Sequence, residues 1–312
     1  MISFFDLLVY IFYFWFILIA LKIIYWFYKV CFRKRKDLLN IYGKDSWVLV
    51  TGATDGIGKA FCEEFARTGF NIILVSRTQS KLDDVAKQLK EINPKIKTKT
   101  VVFDFSIKNK LLDYQNDFSK IFSEYDISIL VNNIGRGGPN SFSDLSLTDI
   151  QENISLNIIP QVYMTKLLLG RLKERNNRSA IINLSSVVGT YPLTYFSQYG
   201  SAKAFNHFLS KGIEYEESNK IDIMSVKPFY VTSPLSGLSV SNGFDIVTPA
   251  QCVNGSLDCL GYENETCGYL SHQLLSNMYY LRFFVSENFT NKVIEYLVKD
   301  HMKVHEKNKN EK

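Results

Sequence analysis

Trp47-Val48-Leu49-Val50-Thr51-Gly52-Ala53-Thr54-Asp55-Gly56-Ile57-Gly58-Lys59-Ala60-Phe61 reads as a strand, a glycine loop and the start of a helix. A short β-branched run ends in three glycines, which lead directly into a helical pattern. Glycine serves three purposes in such a place. It turns the chain tightly, lets backbone N–H groups approach a pyrophosphate, and lets helix pack closely on strand. The phosphates then meet the helix amino terminus, where unpaired N–H groups and the helix dipole favour an anion. Thr51, Gly52, Thr54, Asp55, Gly56, Ile57 and Gly58 are therefore the first candidate cofactor residues. Many loops contain three glycines, so the weight comes from their position between strand and helix.

Outward from this loop, β-branched runs alternate with amphipathic stretches, the pattern of a doubly wound parallel sheet (a Rossmann-type α/β fold) with helices on both faces. The runs predict strands at Trp47 to Val50, Asn71 to Val75, Lys99 to Phe103, Ser128 to Val131, Ala180 to Leu184 and Asp222 to Val226. A seventh is expected near Tyr269. Helices are expected to begin near Ile57, Gln79, Asn109, Leu147, Gln198 and Pro249, each bounded by Gly, Pro, Asn, Asp or Ser. No repeat or linker divides them. The expected organisation is a membrane anchor with its basic flank over 1–36, one nucleotide-binding domain over 45–285, and a tail over 286–312.

Ligands of open parallel sheets bind beyond the carboxyl ends of the strands, so those ends are the next place to look. The second strand ends Val75-Ser76-Arg77-Thr78, with no acidic residue to hold a ribose hydroxyl or repel a 2′-phosphate. Arg77 can instead form charge-assisted bonds to that phosphate, which favours NADP(H) over NAD(H). Asp104 is placed to contact adenine. Asn132 and Asn133 are placed to bond backbone across neighbouring loops and close the crevice floor, although a structural turn would look similar.

The fifth strand ends Asn183-Leu184-Ser185-Ser186, and Tyr199-Gly200-Ser201-Ala202-Lys203 opens the next helix. Tyrosine at i and lysine at i+4 share a helical face. A free phenol ionises near pH 10, and a neighbouring cation favours its phenolate. Tyr199 can thus serve as general acid toward a carbonyl oxygen, or as base in reverse, with Ser186 holding the same oxygen. Taken alone the spacing is common, and a snorkelling lysine on an amphipathic helix would produce it. A glycine loop, a strand-end Asn-Asn, a strand-end Ser-Ser and then Tyr-x-x-x-Lys, in that order, is hard to assemble by accident.

The chain has 312 residues, 46% of them hydrophobic, which is ample for a sizeable core and excludes a disordered chain. Its net charge is +5, with basic residues gathered at Arg33 to Lys36 and in the last dozen positions. That distribution suits a membrane surface rather than nucleic acid. Leu7 to Tyr28 is apolar apart from Lys22. As a helix it spans roughly 33 Å at about 1.5 Å per residue, enough for a hydrocarbon core of about 30 Å. A cleaved signal peptide is disfavoured by the length of the run and the lack of a basic start, and an interfacial helix is the minority alternative. The basic flank follows the apolar run, which places the main body in the cytosol. Six Asn-x-Ser/Thr sequences are then expected to stay unglycosylated. Five cysteines, an odd number without metal-ligand spacing, suit free buried thiols in a reducing compartment, and no metal site is expected.

These residues resemble the short-chain dehydrogenase/reductase family, over roughly Ser46 to Ser271. The family's Thr-Gly-x-x-x-Gly-x-Gly is matched by Thr51, Gly52, Gly56 and Gly58, and its catalytic serine, thirteen positions before the tyrosine, falls on Ser186. The resemblance implies that Asn157, ahead of the weaker candidate Asn153, helps hold a proton-relay water. It also implies that Lys203 bonds the nicotinamide ribose, and that Ser76, Pro228 and Val231 border the cofactor with Tyr199. Finer features, Thr54 to Lys59, Leu74 to Thr78, Asn132 to Gly135 and Ser225 to Val231, together with the anchor, resemble the microsomal very-long-chain 3-oxoacyl-CoA reductases. That group merges with 17-beta-hydroxysteroid dehydrogenases. The resemblance implies an endoplasmic reticulum membrane enzyme of fatty-acid elongation acting on an acyl-CoA or steroid substrate, working as a homodimer with other elongation enzymes as partners. A catalytically inactive scaffold is the alternative of another class. Lys227 is expected to face solvent, Pro234 to Val247 to form a lid over substrate, and Tyr269 to Phe289 to touch membrane, a second copy or the core.

Overall fold

The computed structural model describes residues 3–233, 246–280 and 292 of the chain. Two compact units are present, Met1–Arg35 and Lys36–Lys312. The first is a single helix, α1 (Phe4–Cys31), opened by a capping box in which Ser3 and Asp6 satisfy each other's backbone N–H. From Phe4 to Lys29 it is long and apolar enough to cross a membrane.

The second unit begins with a short helix, α2 (Leu38–Tyr42), capped by Asp37. β1 (Trp47–Thr51), α3 (Gly56–Thr68), β2 (Asn71–Ser76), α4 (Gln79–Ile92), β3 (Thr98–Val102), α5 (Leu111–Glu124) and β4 (Ile127–Asn132) follow. Next come α6 (Leu147–Asn157), α7 (Ile159–Glu174), β5 (Ser179–Leu184), α8 (Ser197–Glu217) and β6 (Ile221–Val226). The two-residue strands β7 (Tyr230–Val231) and β8 (Ile246–Val247) pair with each other, and α9 (Pro249–Cys259), β9 (Glu265–Thr266) and α10 (Leu270–Tyr280) complete the described part.

Seven strands form one parallel sheet in the order β3-β2-β1-β4-β5-β6-β9. Side chains alternate across a strand, and here both faces are apolar. Val48 and Val50 of β1 join Ile72, Leu74, Ile129 and Val131 in a core covered by α3, α4 and α9. Leu49, between them, joins Ile73, Val75 and Leu130 in the opposite core, under Tyr114 and Phe118 of α5 and Met164 and Leu168 of α7. The near-continuous apolar strands thus follow from burial on two sides. Chain direction across the sheet reverses between β1 and β4, which opens a crevice at the carboxyl ends of those strands.

The six expected strands are all present, within a residue or two of the expected bounds. The seventh is β9, upstream of Tyr269 and too short to leave a pattern. The stretch from Leu147 is two helices, not one, because Pro160 has no N–H to give and disfavours a helical conformation before it. The joint is Ile158, at φ −108 and ψ −57. Lys227 is a correction: it is buried, not solvent-facing, and its Nζ donates to Glu265 at 2.9 Å. Burial without such a partner would cost several kcal/mol, so Glu265 on the edge strand β9 explains how a lysine can lie buried just past the end of β6. Cys62, Cys252, Cys259 and Cys267 are buried thiols outside any disulfide, as expected. Lid residues 234–245, residues 281–289 of the expected apolar segment, and the tail over 286–312 apart from Lys292 lie outside the described residues.

Candidate active site

The loop after β1 is held by its glycines and by bonds to the β4 end. Gly52 and Gly56 adopt φ +65 and +51, values that side chains rarely tolerate. A Cβ on Gly58 would lie 2.2 Å from the Gly52 carbonyl oxygen and 2.4 Å from Asn133 Nδ2. The Thr51 hydroxyl donates to the Val131 carbonyl at 3.2 Å and accepts from the N–H groups of Asn133 and Ile134. Asn133 Nδ2 donates back to the Thr51 and Gly52 carbonyls at 3.0 and 3.2 Å. Asp55 caps α3 by accepting from Gly56 N at 2.7 Å, and the hydroxyls of Thr54 and Ser76 meet at 2.9 Å, tying the β1 and β2 ends together. Glycines thus let the loop fold closely on itself and on Asn133 while it leads straight into the amino terminus of α3, an arrangement that fits a dinucleotide pyrophosphate. Arg77 stands exposed just past β2, where a 2′-phosphate would be held.

Two expected residues serve the interior or their own loop. Asn132 is buried, with Nδ2 donating to Thr165 Oγ1 at 3.0 Å and Asn183 Oδ1 at 2.8 Å, so its amide N–H groups are turned into the interior. Asp104 Oδ1 accepts from the N–H and hydroxyl of Ser106, shaping the turn after β3.

Tyr199 and Lys203 come together on α8, the Lys203 Nζ 5.6 Å from the centre of the tyrosine ring. Lys203 is 3% exposed and donates to the Leu184 carbonyl at 2.9 Å. Ser186 follows β5 with its hydroxyl donating to the Pro228 carbonyl at 3.4 Å, while Ser185 Oγ anchors the Lys203 carbonyl at 2.6 Å. Val231, a little beyond Pro228, is buried in the β7–β8 pair. Burial pushes the Tyr199 phenol up to about 12, against a smaller opposite pull from a hydrogen bond with Ser186. Burial alone pushes the Lys203 ammonium down to about 8. Burial, not the neighbouring cation, thus dominates the resting phenol. At neutral pH both groups carry their protons, the state a general acid with a cationic neighbour requires.

Three features escaped the sequence reading. A Cβ on Gly137 would lie 2.2 Å from Tyr199 Cδ2, and one on Gly135 would lie 2.6 Å from Asn157 Oδ1 and 3.0 Å from Lys203 Nζ. The loop after β4 therefore packs its bare backbone on the tyrosine and lysine, a role for which the glycines of Gly135-Arg136-Gly137-Gly138 are the only signal. Asn157 clamps that loop, its Oδ1 accepting from Arg136 N at 3.2 Å and its Nδ2 donating to Arg136 O at 2.7 Å. Beside Tyr199 a cleft is bordered by Gly138, Asn140, Leu145, Asn153 and Gln198.

A family model described as short chain dehydrogenase matches residues 46–242. Very-long-chain 3-oxoacyl-CoA reductase-B of Danio rerio is 39% identical over 244 residues, 77% of this chain and 76% of that protein. Very-long-chain 3-oxoacyl-CoA reductase of Homo sapiens is 33% identical over 76% of this chain and 75% of that protein. Among solved structures, a short-chain dehydrogenase from Sphingobium yanoikuyae in complex with NADPH superposes with a TM-score of 0.62 at 28% identity, over 69% of this chain and 84% of that one.

Proposed function

The chain belongs to the short-chain dehydrogenase family, and from that premise we propose that it reduces the 3-oxo group of long or very-long-chain 3-oxoacyl-CoA to the 3-hydroxyacyl-CoA, using NADPH. The observation that carries the reading is the half-buried Tyr199 beside the buried Lys203 on α8, with Ser186 opposite, in a chain whose relatives are named for this reaction.

Bound in the loop after β1, NADPH supplies hydride to the carbonyl carbon. The chain's own residues manage the oxygen. Ser186 and Tyr199 hold it by hydrogen bonds, and the Tyr199 hydroxyl passes its proton as negative charge develops there. Lys203 stabilises the phenolate left behind, and its other donors are free to hold a ribose hydroxyl. Arg77 favours the 2′-phosphate. Replacing Arg77 with Glu puts like charge against that phosphate, and we expect the kcat/KM preference for NADPH over NADH to fall at least about a hundredfold. Steady-state kinetics with both cofactors measures this. An unchanged preference would assign phosphate recognition elsewhere.

The anchor is read as holding the enzyme at the endoplasmic reticulum with its catalytic unit in the cytosol, where a long acyl tail can remain in lipid while its reactive end reaches Tyr199. We read the working form as a homodimer alongside other enzymes of fatty-acid elongation. The test of substrate is NADPH oxidation by the full chain in detergent or liposomes, across 3-oxoacyl-CoA lengths and steroid ketones. Turnover of long 3-oxoacyl-CoA is expected. Robust steroid turnover with none on acyl-CoA would overturn the assignment.

A further inference from the structure

Asn157 ends α6 at the break before α7, and Pro160 brings no N–H to that joint. The Asn157 carbonyl, at the end of α6, accepts from Asn206 Nδ2 at 2.9 Å. Asn206 lies on α8, three residues after Lys203, and is 2% exposed. Its own carbonyl is held from two sides, by Gln161 Nε2 at 3.1 Å and by the Ser210 hydroxyl at 2.6 Å. Ser210 in turn accepts from Asn183 Nδ2 at 2.9 Å, and Asn183 accepts from Asn132. A continuous buried chain of amides and hydroxyls therefore runs from the sheet through α8 to the α6–α7 joint. Its amides are held through their N–H groups, while the side-chain oxygens of Asn132, Gln161 and Asn206 are buried with no hydrogen-bond partner among the described residues, so each donor bond that remains is costly to lose.

We propose that Asn206 is a positioning residue for the Tyr199–Lys203 pair, acting through Asn157. The connection is short. Asn206 fixes the Asn157 backbone, the Asn157 side chain clamps both backbone groups of Arg136, and Gly135 and Gly137 on either side of Arg136 pack against Lys203 Nζ and the Tyr199 ring. The helix that bears the reacting groups is thus tied by its own next turn to the loop that presses on them. The inference rests on the carbonyl-reductase reading of the site but not on which carbonyl compound is reduced.

The test is a double-variant cycle of Asn206→Val and Asn157→Ala in the full chain, read as kcat for NADPH oxidation on 3-oxoacyl-CoA and on a small ketone, with NADPH affinity and melting temperature measured alongside. Asn206→Val is expected to lower kcat about tenfold or more with little change in NADPH affinity, because displacements of the order of an ångström at a reacting group are felt in the rate. The double variant should be no more than about twofold slower than the worse single, since residues acting as one unit are not additive. Ser46→Ala is the stability control. It removes a buried hydroxyl bonded to Gly43 and Ser128 at the amino-terminal ends of β1 and β4, opposite the crevice, and should lower the melting temperature without lowering kcat. Multiplicative losses, or an Asn206 variant that behaves like Ser46→Ala, would overturn the proposal. If the valine variant does not fold, Asn206→Ser, which removes the long amide reach with a smaller change of polarity, runs the same cycle. Coupling on the ketone without any acyl-CoA turnover would sink the substrate assignment and leave Asn206 standing.

Discussion

Tyr199→Phe is expected to lower kcat for carbonyl reduction by about three orders of magnitude while NADPH binds nearly as before. The substitution removes one oxygen and its proton and leaves the ring. That ring is packed against the Gly137 backbone, so the phenylalanine keeps its seat and the fold around it. The lost group is the only proton source placed beside Ser186 among the described residues of the α8 face. With it gone, hydride arriving at the carbonyl carbon would leave an alkoxide held by Ser186 alone, and the barrier rises by the whole of the proton transfer. Rapid-mixing measurement of NADPH oxidation, with cofactor affinity from fluorescence, separates the two effects. A variant that kept a tenth of parental kcat would place the acid elsewhere. The same experiment decides the scaffold alternative, because a chain with no chemistry to lose would show no parental rate to begin with.

The places of the phenol, the lysine, the serine and the glycine loop were legible because each stands at a spacing tied to one element boundary. The sheet was legible because its strands are apolar on both faces, as Val48-Leu49-Val50 shows by sending neighbours into opposite cores. What escaped was set by partners far away in sequence. Nothing around Lys227 announces Glu265, a half-buried carboxylate that lets an apparently exposed lysine lie buried. Asn132 reads as a crevice residue from its strand end, yet Thr165 and Asn183 draw it inward. Asn206 reads as one more polar residue on a helix until the α6–α7 joint brings the Asn157 carbonyl to it. Short elements such as α2 and β9 carry too few residues for a period to register.

Lys203→Met should cost kcat at least about a hundredfold and should make the protein more stable near neutral pH, two effects of opposite sign from one buried charge. Inside the fold the ammonium donates to the Leu184 carbonyl and sits over the edge of the Tyr199 ring, too little to repay its lost hydration. Its pKa accordingly falls from 10.5 to about 8. Between those two values the unfolded chain holds the proton that the folded chain has released, so stability from this group rises with pH across the window and is lowest below about 8. Methionine fills nearly the same volume without the charge. It should remove that slope and raise the melting temperature at pH 7. The rate moves the other way. In the parent, reduction should decline as pH passes about 8 and the lysine loses the proton that supports the phenolate. His207, one turn further along α8, is pushed down to about 4 by burial, with Lys227 adding to the shift, so it is silent in that range. A pH–rate profile of the methionine variant should therefore lose the limb near 8 while thermal melts across the same pH range flatten. If the limb survives, another group sets the protonation state of Tyr199. If the variant is less stable than the parent at neutral pH, the lysine is held by favourable contacts and the fold is not carrying a charge at a cost for the sake of the phenol.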